Sequence, residues 1–476
     1  MKIGPRLVFC FVVIMFVISG VASAELYKRA PDAVKGTIPE MREPSYWIAR
    51  MDDPDGIVMT VDDILRMNEN YQRWVRRSNR YDGLPEDRVP RISYWWPGYV
   101  LYPPDLQSIS PEAVADTVRA HIALCIEHMR KEPYGNLNAV EYAPWQIDEF
   151  EEEMAVSDIP SRVSILDAIA VRTARIRSVP TMTPDQVGIR ENAKTRWDLW
   201  NVDIAKIGMP LKVLHRSKSG EYVFILCELG FGWIRTADIA FSYKAKIDEF
   251  VNADNFVVCT GDRVPFFSTE TCTYSAGWFR MGDRLPIAPG GDPRKIIVPV
   301  RKTNGEFTTE TAWLAADADV HVGFLPYTRR NVVVTAFNLL DNQYDWTGAW
   351  FGRQHQTTYR DIFRCFGFEL PYHGGMFTFF NNNDQQVLMP DSGTEEQYRT
   401  ILTHEPFVTL QSCGGHCQLL LGEYNGVPII FDQHGYGYED DNGDYVEVRR
   451  CCIGDQTMPS YFLKNKITFL VLKNPQ

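Results

Sequence analysis

The chain has 476 residues and a formal net charge of −12 at pH 7. A negatively charged chain is a poor partner for nucleic acid, whose phosphates are bound by positively charged surfaces. The 12 Trp, 22 Tyr and 26 Phe supply apolar area for about two to four domains, since one hydrophobic core rarely serves a chain of this length. Composition therefore excludes both a nucleic-acid binder and a disordered chain.

The N-terminus predicts a signal peptide over residues 1–24. Lys2 and Arg6 form a basic start, an apolar run covers residues 7–18, and Ala22-Ser23-Ala24 fits signal peptidase. That run is too short to span a bilayer, and no later stretch approaches about 18 consecutive apolar residues, so no membrane span is expected. We expect cleavage before Glu25 and a periplasmic or secreted protein. A retained signal anchor is the alternative.

Cysteine usage leaves the redox state open. One of the ten cysteines lies in the predicted signal peptide, and the odd number that remains leaves at least one thiol free. Possible bridges join Cys259 with Cys272 and Cys413 with Cys417, but the sequence does not establish the pairing.

Residues 25–165 predict a helical N-terminal domain. Ser110 can cap a helix that begins at Pro111 and carries apolar residues at helical spacing, namely Val114, Val118, Ile122 and Cys125. We interpret His121 and His128 on this helix as surface or boundary residues rather than ligands. An aromatic cluster is either a packing surface or one wall of a peptide or sugar groove: Tyr94, Trp95, Trp96, Tyr99 and Tyr102.

Residues 166–325 predict two small all-β barrels, over 166–245 and 246–325. A weak internal repeat supports this: Gly208-Met209-Pro210-Leu211 leads to Trp233, and Gly282-Asp283-Arg284-Leu285 leads to Trp313, each through an apolar strand. The spacing resembles bacterial SH3-like domains. Such barrels serve as wall-binding modules or as spacers that shape a neighbouring cleft.

Residues 326–476 predict an α+β domain with helices after Val332 and near 357–366 and strands near 418–421, 427–431 and 467–472. Its candidate chemistry lies in three segments: Asp341-Asn342-Gln343-Tyr344-Asp345-Trp346-Thr347-Gly348, Arg360-Asp361-Ile362-Phe363 with Phe366-Gly367-Phe368-Glu369-Leu370-Pro371, and Gly415-His416-Cys417-Gln418-Leu419-Leu420-Leu421-Gly422. Such a pattern suits a papain-like cysteine peptidase, in which a helix N-terminus lowers the pKa of the thiol and a histidine on a strand acts as base.

This domain resembles the NlpC-type cell-wall endopeptidases. With its helical front and two SH3-like barrels, the chain is similar to the branch that cleaves the γ-D-glutamyl to diamino-acid bond of wall peptides. The resemblance implies an α+β papain-like domain, no cofactor and a peptidoglycan stem peptide or related peptide as partner. It implies His416 as the base, Asp432 as the group that orients it, and His434 as a possible substitute.

The sequence departs from this family at the nucleophile. Counted back from Arg360-Asp361, the family's Asp-Cys-Ser triplet falls on Gln354-His355-Gln356, so His355 replaces the cysteine. The resemblance assigns the flanking positions Gln354 and Gln356, with Tyr344, to recognition of the substrate's free amine, and only Tyr344 keeps its family identity. The expected Arg-x-Ser segment is replaced by Tyr372-His373-Gly374.

Other thiols are poor substitutes for the missing nucleophile. Cys365 lies ten residues beyond His355, about 15 Å along a helix, and is expected in the core. Cys417 follows His416 directly on a strand and would point to the opposite face. Cys413 is close enough to be conceivable. Cys451-Cys452 is an unusual vicinal pair without an identifiable base.

Three hypotheses follow for the same positions. The first is a degenerate member that keeps the cleft, has lost peptidase chemistry and binds a wall-derived or other peptide. The second is an active hydrolase with an unorthodox nucleophile. The third is a zinc or iron site formed by His355, His416 and either Asp432 or His434, for which a hydrogen-bonded polar cluster without metal is the simpler alternative.

Overall fold

The computed structural model describes residues 32–79, 110–131, 140–182, 198, 200–370, 394–413, 416–458 and 462–474, together with short strands at 28–29, 92–93, 96–100, 134–135, 186–187 and 387–388. The predicted signal peptide and the segment Tyr372-His373-Gly374 lie outside these residues. Of the predicted aromatic cluster, only the backbone of the strand that holds Trp96 and Tyr99 is described. Within the described part of the chain, no helix is long and apolar enough to cross a membrane.

The described part of the first 165 residues contains four α-helices and short strands. The helices are α1 (Pro44–Ile48), α2 (Val61–Asn79), α3 (Pro111–Lys131) and α4 (Pro144–Glu153), with 3₁₀ turns at Pro39–Arg42 and Val156–Asp158. The strands are β1 (Lys28–Arg29), β2 (Ile57–Met59), β3 (Ile92–Ser93), β4 (Trp96–Val100) and β5 (Tyr134–Gly135). Proline at the first position of α3 and α4 suits a helix start, where no amide donor is needed.

The hydrophobic contacts of this region go to two different neighbours. Met41, Trp47 and Ile64 share one buried cluster with Phe363 of the C-terminal domain, and β2 pairs with a strand at 327–328. The helix α3 instead packs on the following β-region, where Val118 shares a cluster with Trp233. The helices of the first 165 residues therefore contribute to two cores that they share with other regions of the chain.

Residues 166–241 form one sheet together with β3 and β4. Its strands are β6 (Leu166–Ala170), β7 (Ala174–Arg177), β9 (Asn201–Ala205), β10 (Pro210–Arg216), β11 (Tyr222–Cys227), β12 (Gly230–Arg235) and β13 (Ile239–Phe241), while β8 (Gln186–Val187) pairs with β5. The order is β13-β6-β10-β11-β12-β4-β3, and β7 joins β12 to β9. Alternate residues of β11 enter two different clusters, as expected of a strand buried on both faces.

A second β-region follows the helix α5 (Lys244–Val251). It contains β14 (Phe256–Cys259), β15 (Arg263–Phe267), β16 (Ser275–Arg280), β17 (Arg284–Pro286), β18 (Lys295–Arg301), β19 (Phe307–Trp313) and β20 (Val320–Val322). They form two antiparallel sheets, ordered β17-β14-β20 and β16-β15-β19-β18. Both sheets contribute to one core, in which Val257, Phe279 and Ile296 are fully buried.

The C-terminal region combines helices with a six-stranded sheet. The helices are α6 (Arg329–Phe337), α7 (His355–Arg364) and α8 (Thr394–Leu402), with 3₁₀ turns at Trp346–Gly348 and Phe462–Lys464. The strands are β21 (Tyr327–Thr328), β22 (Val387–Leu388), β23 (Thr409–Cys413), β24 (His416–Tyr424), β25 (Val427–His434), β26 (Gly437–Glu439), β27 (Tyr445–Glu447), β28 (Arg450–Asp455) and β29 (Ile467–Val471).

The central sheet has the order β22-β29-β23-β24-β25-β28 and is antiparallel throughout. One face packs on α7, with Cys417 and Leu419 in the same cluster as Phe363. The other face carries His416, Gln418 and Leu420, because side chains alternate along a strand. The helices and strands predicted from the sequence of this domain are all present.

A buried ion cluster joins α7 to both β-regions. The carboxylate of Asp361 accepts from Arg280 Nε at 3.0 Å and Arg353 Nε at 2.8 Å, and it pairs with Lys206. Lys206 also lies 3.3 Å from Asp283. Burial would raise the pKa of Asp361, but the surrounding positive charges outweigh burial and hold it well below its usual range. The carboxylate is therefore ionised, and it fixes α7 against both β-regions.

The prediction for His121 and His128 was wrong, because both are buried. His121 is fully covered, its ring centroid lies 4.1 Å from that of Phe231, and neither ring nitrogen has a hydrogen-bond partner among the described residues. Burial lowers the pKa of His121 to about 3. The ring serves as a neutral core group, because α3 turns this face toward the β-region rather than toward solvent.

His121 should make the protein sensitive to acid. Its folded pKa of about 3 lies below the usual 6.5, so between these values the unfolded state binds more protons. Stability therefore falls as the pH is lowered, by up to about 1.4 kcal/mol per unit. We expect His121→Phe to reduce this loss between pH 6.5 and 4.5. Urea unfolding of parent and variant at several pH values measures it. A difference that stays constant with pH would contradict the assignment.

Removal of the Asp361 charge should destabilise the whole assembly. Asp361→Asn leaves Arg280, Arg353 and Lys206 buried without their shared anion, and loss of one partner of a buried pair costs about 3–5 kcal/mol. The control Asp248→Asn breaks the exposed pair with Lys244 on α5, which is worth less than about 1 kcal/mol. Urea denaturation compares the two. Equal midpoints for both variants would show that the cluster is not central to stability.

Candidate functional site

The N-terminus of α7 presents His355. The helix is capped locally: the Gln354 N–H donates to Thr357 Oγ1 at 3.0 Å, and the Thr358 hydroxyl donates to the Gln354 carbonyl at 2.9 Å. His355 is the first helical residue and is 6% exposed. Gln354 is buried and Gln356 is half-buried. The helix therefore begins where the sequence placed the lost Asp-Cys-Ser triplet.

A tight loop brings Tyr344 to this helix start. Asp345 Oδ2 accepts from the backbone N–H groups of Trp350 and Gly352, both at 2.7 Å. A Cβ at Gly352 would lie 2.4 Å from that of Asp345, so only glycine fits. The loop places the Tyr344 hydroxyl 3.4 Å from His355 Nε2, with the two rings 5.0 Å apart.

The base position lies at the start of β24. His416 Nε2 donates to Asp432 Oδ1 at 2.6 Å, and Asp432 lies on the neighbouring strand β25. The other carboxylate oxygen accepts from Gln418 at 3.2 Å and contacts His434 Nδ1 at 3.1 Å. Burial raises the pKa of Asp432, but His416 and the hydrogen bonds from both histidines lower it further, to well below its usual range. Asp432 thus orients His416, whereas His434 contacts Asp432 from the other side.

His355 and His416 lie face to face. Their ring centroids are 3.7 Å apart with an interplanar angle of 28°, and both residues are buried. Burial, followed by the nearby His416, holds the pKa of His355 well below its ordinary value. His355 is therefore neutral at physiological pH, and its imidazole covers the face of the His416 ring.

Three glutamines extend this polar layer, and our sequence analysis missed their role. Gln411 Nε2 donates to Gln418 Oε1 at 3.0 Å and to Gln456 Oε1 at 2.6 Å, and Gln456 Nε2 donates to Gln418 at 3.2 Å. All three are fully buried. Gln418 could have been found, because residues two apart on a strand share a face with His416. Nothing in the local sequence of Gln411 or Gln456 points to the site.

The thiols near the site are buried and protonated. Burial raises the pKa of Cys365 and of Cys417 to about 12 and that of Cys413 to about 11. Cys413 lies directly opposite His416 in the β23–β24 pair, so it shares the His416 face. The described cysteines, including Cys259 and Cys272, are free. A thiol nucleophile needs a lowered pKa, and these thiols have the opposite shift.

The same groups satisfy the simplest distance requirement of a metal site. One ligand atom from each of His355, His416 and Asp432 lies within 4.8 Å of the others. However, lone pairs of stacked imidazoles run side by side, whereas tetrahedral zinc needs them to converge. Nε2 of His416 is also engaged by Asp432. A metal would require the two rings to turn apart.

A cavity of about 370 Å³ lies beside this constellation. It is lined by Tyr344, Asp345 and Trp350 of the loop and by Asp262 and Arg263 of the second β-region. Trp350 is 50% exposed, and Arg263 donates to the Phe351 carbonyl at 2.8 Å. The cavity offers one exposed aromatic ring and groups of both charges within reach of Tyr344.

Comparison with solved structures identifies a protein with a similar fold. The chain is similar to a solved NlpC/P60 endopeptidase from Photobacterium damselae subsp. piscicida, with a TM-score of 0.67 and 18% identity over 94% of this chain and 100% of the other. It has the fold of an NlpC/P60 endopeptidase. An NlpC/P60 family protein from Bacillus cereus ATCC 10987 aligns with 63% of this chain and 98% of its own, at 15% identity and a TM-score of 0.41, too low to support an argument. No protein-family model and no curated protein matches the chain.

The NlpC/P60 fold extends over nearly the whole chain, as the sequence resemblance implied. The structure brings together the residues predicted for the site: His355, His416, Asp432 and His434 form one contact network, and Tyr344 touches it through His355. Gln354 serves the cap of α7 through its backbone. Gln356, one residue further, is half-buried in the first turn of that helix.

Proposed function

We propose that this protein is an exported, peptidoglycan-directed member of the NlpC/P60 type that binds a wall-derived or related peptide and does not cleave it. The observation that carries the proposal is the stack of His355 on His416. His355 places a neutral imidazole, rather than a thiol, at the position predicted for the nucleophile. An imidazole can attack an amide only weakly, and its acyl product would lie where the base must act.

The peptide-binding part of the proposal rests on the cavity beside Tyr344. A volume of about 370 Å³ is within the range of small-molecule and peptide sites. Trp350 offers an aromatic surface, while Arg263 and Asp262 provide opposite charges at the same wall. A stem peptide carries carboxylates, an amine and apolar methyl groups, so it complements such a surface.

The two β-regions fit a supporting role. We propose that residues 166–245 and 246–325 are SH3-like barrels and that residues 326–476 form the papain-like domain. The second barrel contributes Asp262 and Arg263 to the cavity wall, and both barrels are tied to α7 through Lys206 and Arg280. They would shape the cleft, in the periplasm or outside the cell.

Two other functions have distinct signatures. An active γ-D-glutamyl-L-diamino acid endopeptidase would turn over the wall peptide and lose activity on thiol alkylation. A metal-binding cleft is favoured by the proximity of His355, His416 and Asp432. It would retain zinc or iron in protein purified without an affinity tag, and a chelator would lower its melting temperature by mass action.

Binding without turnover is the central test. We expect L-Ala-γ-D-Glu-diaminopimelate to bind the parent in calorimetry and to remain intact by mass spectrometry. Trp350→Ala should weaken binding by at least about fivefold, or about 1 kcal/mol, because the ring lines the cavity. Trp145→Ala on α4 is the matched control, since that tryptophan is 60% exposed and does not line the cavity. Cleavage by the parent, or equal loss in both variants, would refute the proposal.

Restoration of the family triplet tests the assignment of positions. His355→Cys alone regains a thiol beside His416 but not the groups that hold the substrate amine, and small misplacements can cost about a hundredfold in rate. The triple variant Gln354→Asp, His355→Cys, Gln356→Ser should exceed the single variant by at least about tenfold in kcat/KM, equivalent to about 1.4 kcal/mol. A triple variant no better than the single one would show that these positions are misassigned.

A further inference from the structure

A second and larger cavity, of about 670 Å³, lies at the opposite end of α7 from His355. Its walls come from the first β-region (206–212 and 226–228), helix α5, the second β-region (282–284), Phe324 and the C-terminal region (364 and 367–369). No residue of the His355–His416 constellation lines it. It is therefore a separate site, formed only where all three regions meet.

Arg284 is the distinctive group of this cavity. Its guanidinium carbon lies 5.1 Å from the ring centroid of Phe256 and 5.3 Å from that of Phe324, and these two rings make an edge contact with centroids 5.0 Å apart. Aromatic faces stabilise a cation without neutralising it. The two phenylalanines therefore hold the guanidinium in place, and among the residues that the structure describes its N–H groups have no hydrogen-bond acceptor.

Arg284 differs from the other cations of the cavity wall. Lys206 pairs with Asp361 and Asp283, and three further pairs join Lys212 with Asp167, Lys244 with Asp248 and Arg364 with Glu228. Arg284 has no carboxylate at ion-pair distance within the described part of the chain. Burial lowers its pKa, and the charge of Glu369 acts against this. Arg284 is thus a partly desolvated cation without an ionic partner.

Apolar side chains lie between the paired charges of this wall. Ile207, Met209, Ile247 and Phe324 line it, and Met209 and Ile247 are buried. A fixed guanidinium with these apolar side chains suits a ligand with one carboxylate, which the planar fork can hold with two parallel hydrogen bonds, and with a hydrocarbon body. The volume is within the range of small-ligand pockets.

We propose that this cavity binds a small monocarboxylate with an apolar tail, whose carboxylate is held by Arg284. Glu369 at the rim repels that carboxylate and selects against ligands with a second negative group. The site is independent of peptide binding beside Tyr344.

The test uses 4-phenylbutyrate as the probe, on the full exported chain. We expect saturable binding in calorimetry or saturation-transfer NMR, and at least about tenfold weaker binding of the neutral amide, 4-phenylbutyramide. Arg284→Gln should reduce affinity for the acid by at least about tenfold, and Arg284→Lys by less. Lys212→Gln removes an equal charge from a paired residue of the same wall and should change affinity by less than about threefold. Glu369→Gln should leave affinity unchanged or increase it.

Three results would overturn the proposal. The first is no binding of 4-phenylbutyrate at about 20 mM, and the second is equal binding of the acid and the amide. The third is equal loss in Arg284→Gln and Lys212→Gln, which would reveal a general charge effect. Arg284→Lys retains the charge, so it distinguishes lost recognition from lost folding if Arg284→Gln melts early.

Discussion

The carboxylate of Asp361 fixes helix α7, and with it the position of the candidate site at the N-terminus of that helix. It lies on the second turn of α7, and its cationic partners come from the first β-region, the second β-region and the loop before the helix. Breaking any of these pairs would leave an unpaired charge in the interior. The pairs therefore hold the two β-regions and the C-terminal region in one arrangement. His355 stands two turns earlier on the same helix, and its position in front of His416 is a consequence of that ionic constraint.

The ionic cluster and the histidine stack are held by different residues. The partners of Asp361 come from other elements than His416 and Asp432, so α7 is fixed independently of the contacts made at its N-terminus. A neutral imidazole then finds a flat partner in the ring of His416, and Asp432 keeps that ring in one orientation. Gln418 of the glutamine layer donates to the Asp432 carboxylate. The result is a buried, hydrogen-bonded polar cluster with a cavity beside it.

Much of the C-terminal domain could be predicted from the sequence because its information is local. The apolar runs of β24 and β25 and the helix around 355–364 lie within short windows. Tyr344, His355 and His416 are far apart in the sequence, and the family resemblance predicted that they belong to one site. The burial of His121 was not predictable in this way, since it depends on which face of α3 meets Phe231, more than 100 residues later. The glutamine network and the contacts of Arg284 likewise could not be predicted, because they form only when segments distant in the sequence lie side by side.

The placement of residues 32–71 has a consequence for how the protein folds. Met41, Trp47 and Ile64 complete a core most of whose other members lie between residues 327 and 472, and β1 runs parallel to β27. This early segment of the chain therefore reaches its buried position only after the C-terminal region has been made. Contacts of such long range slow folding and extend the life of exposed apolar surface. A chain of this design keeps apolar surface exposed until its C-terminal region is available to cover it.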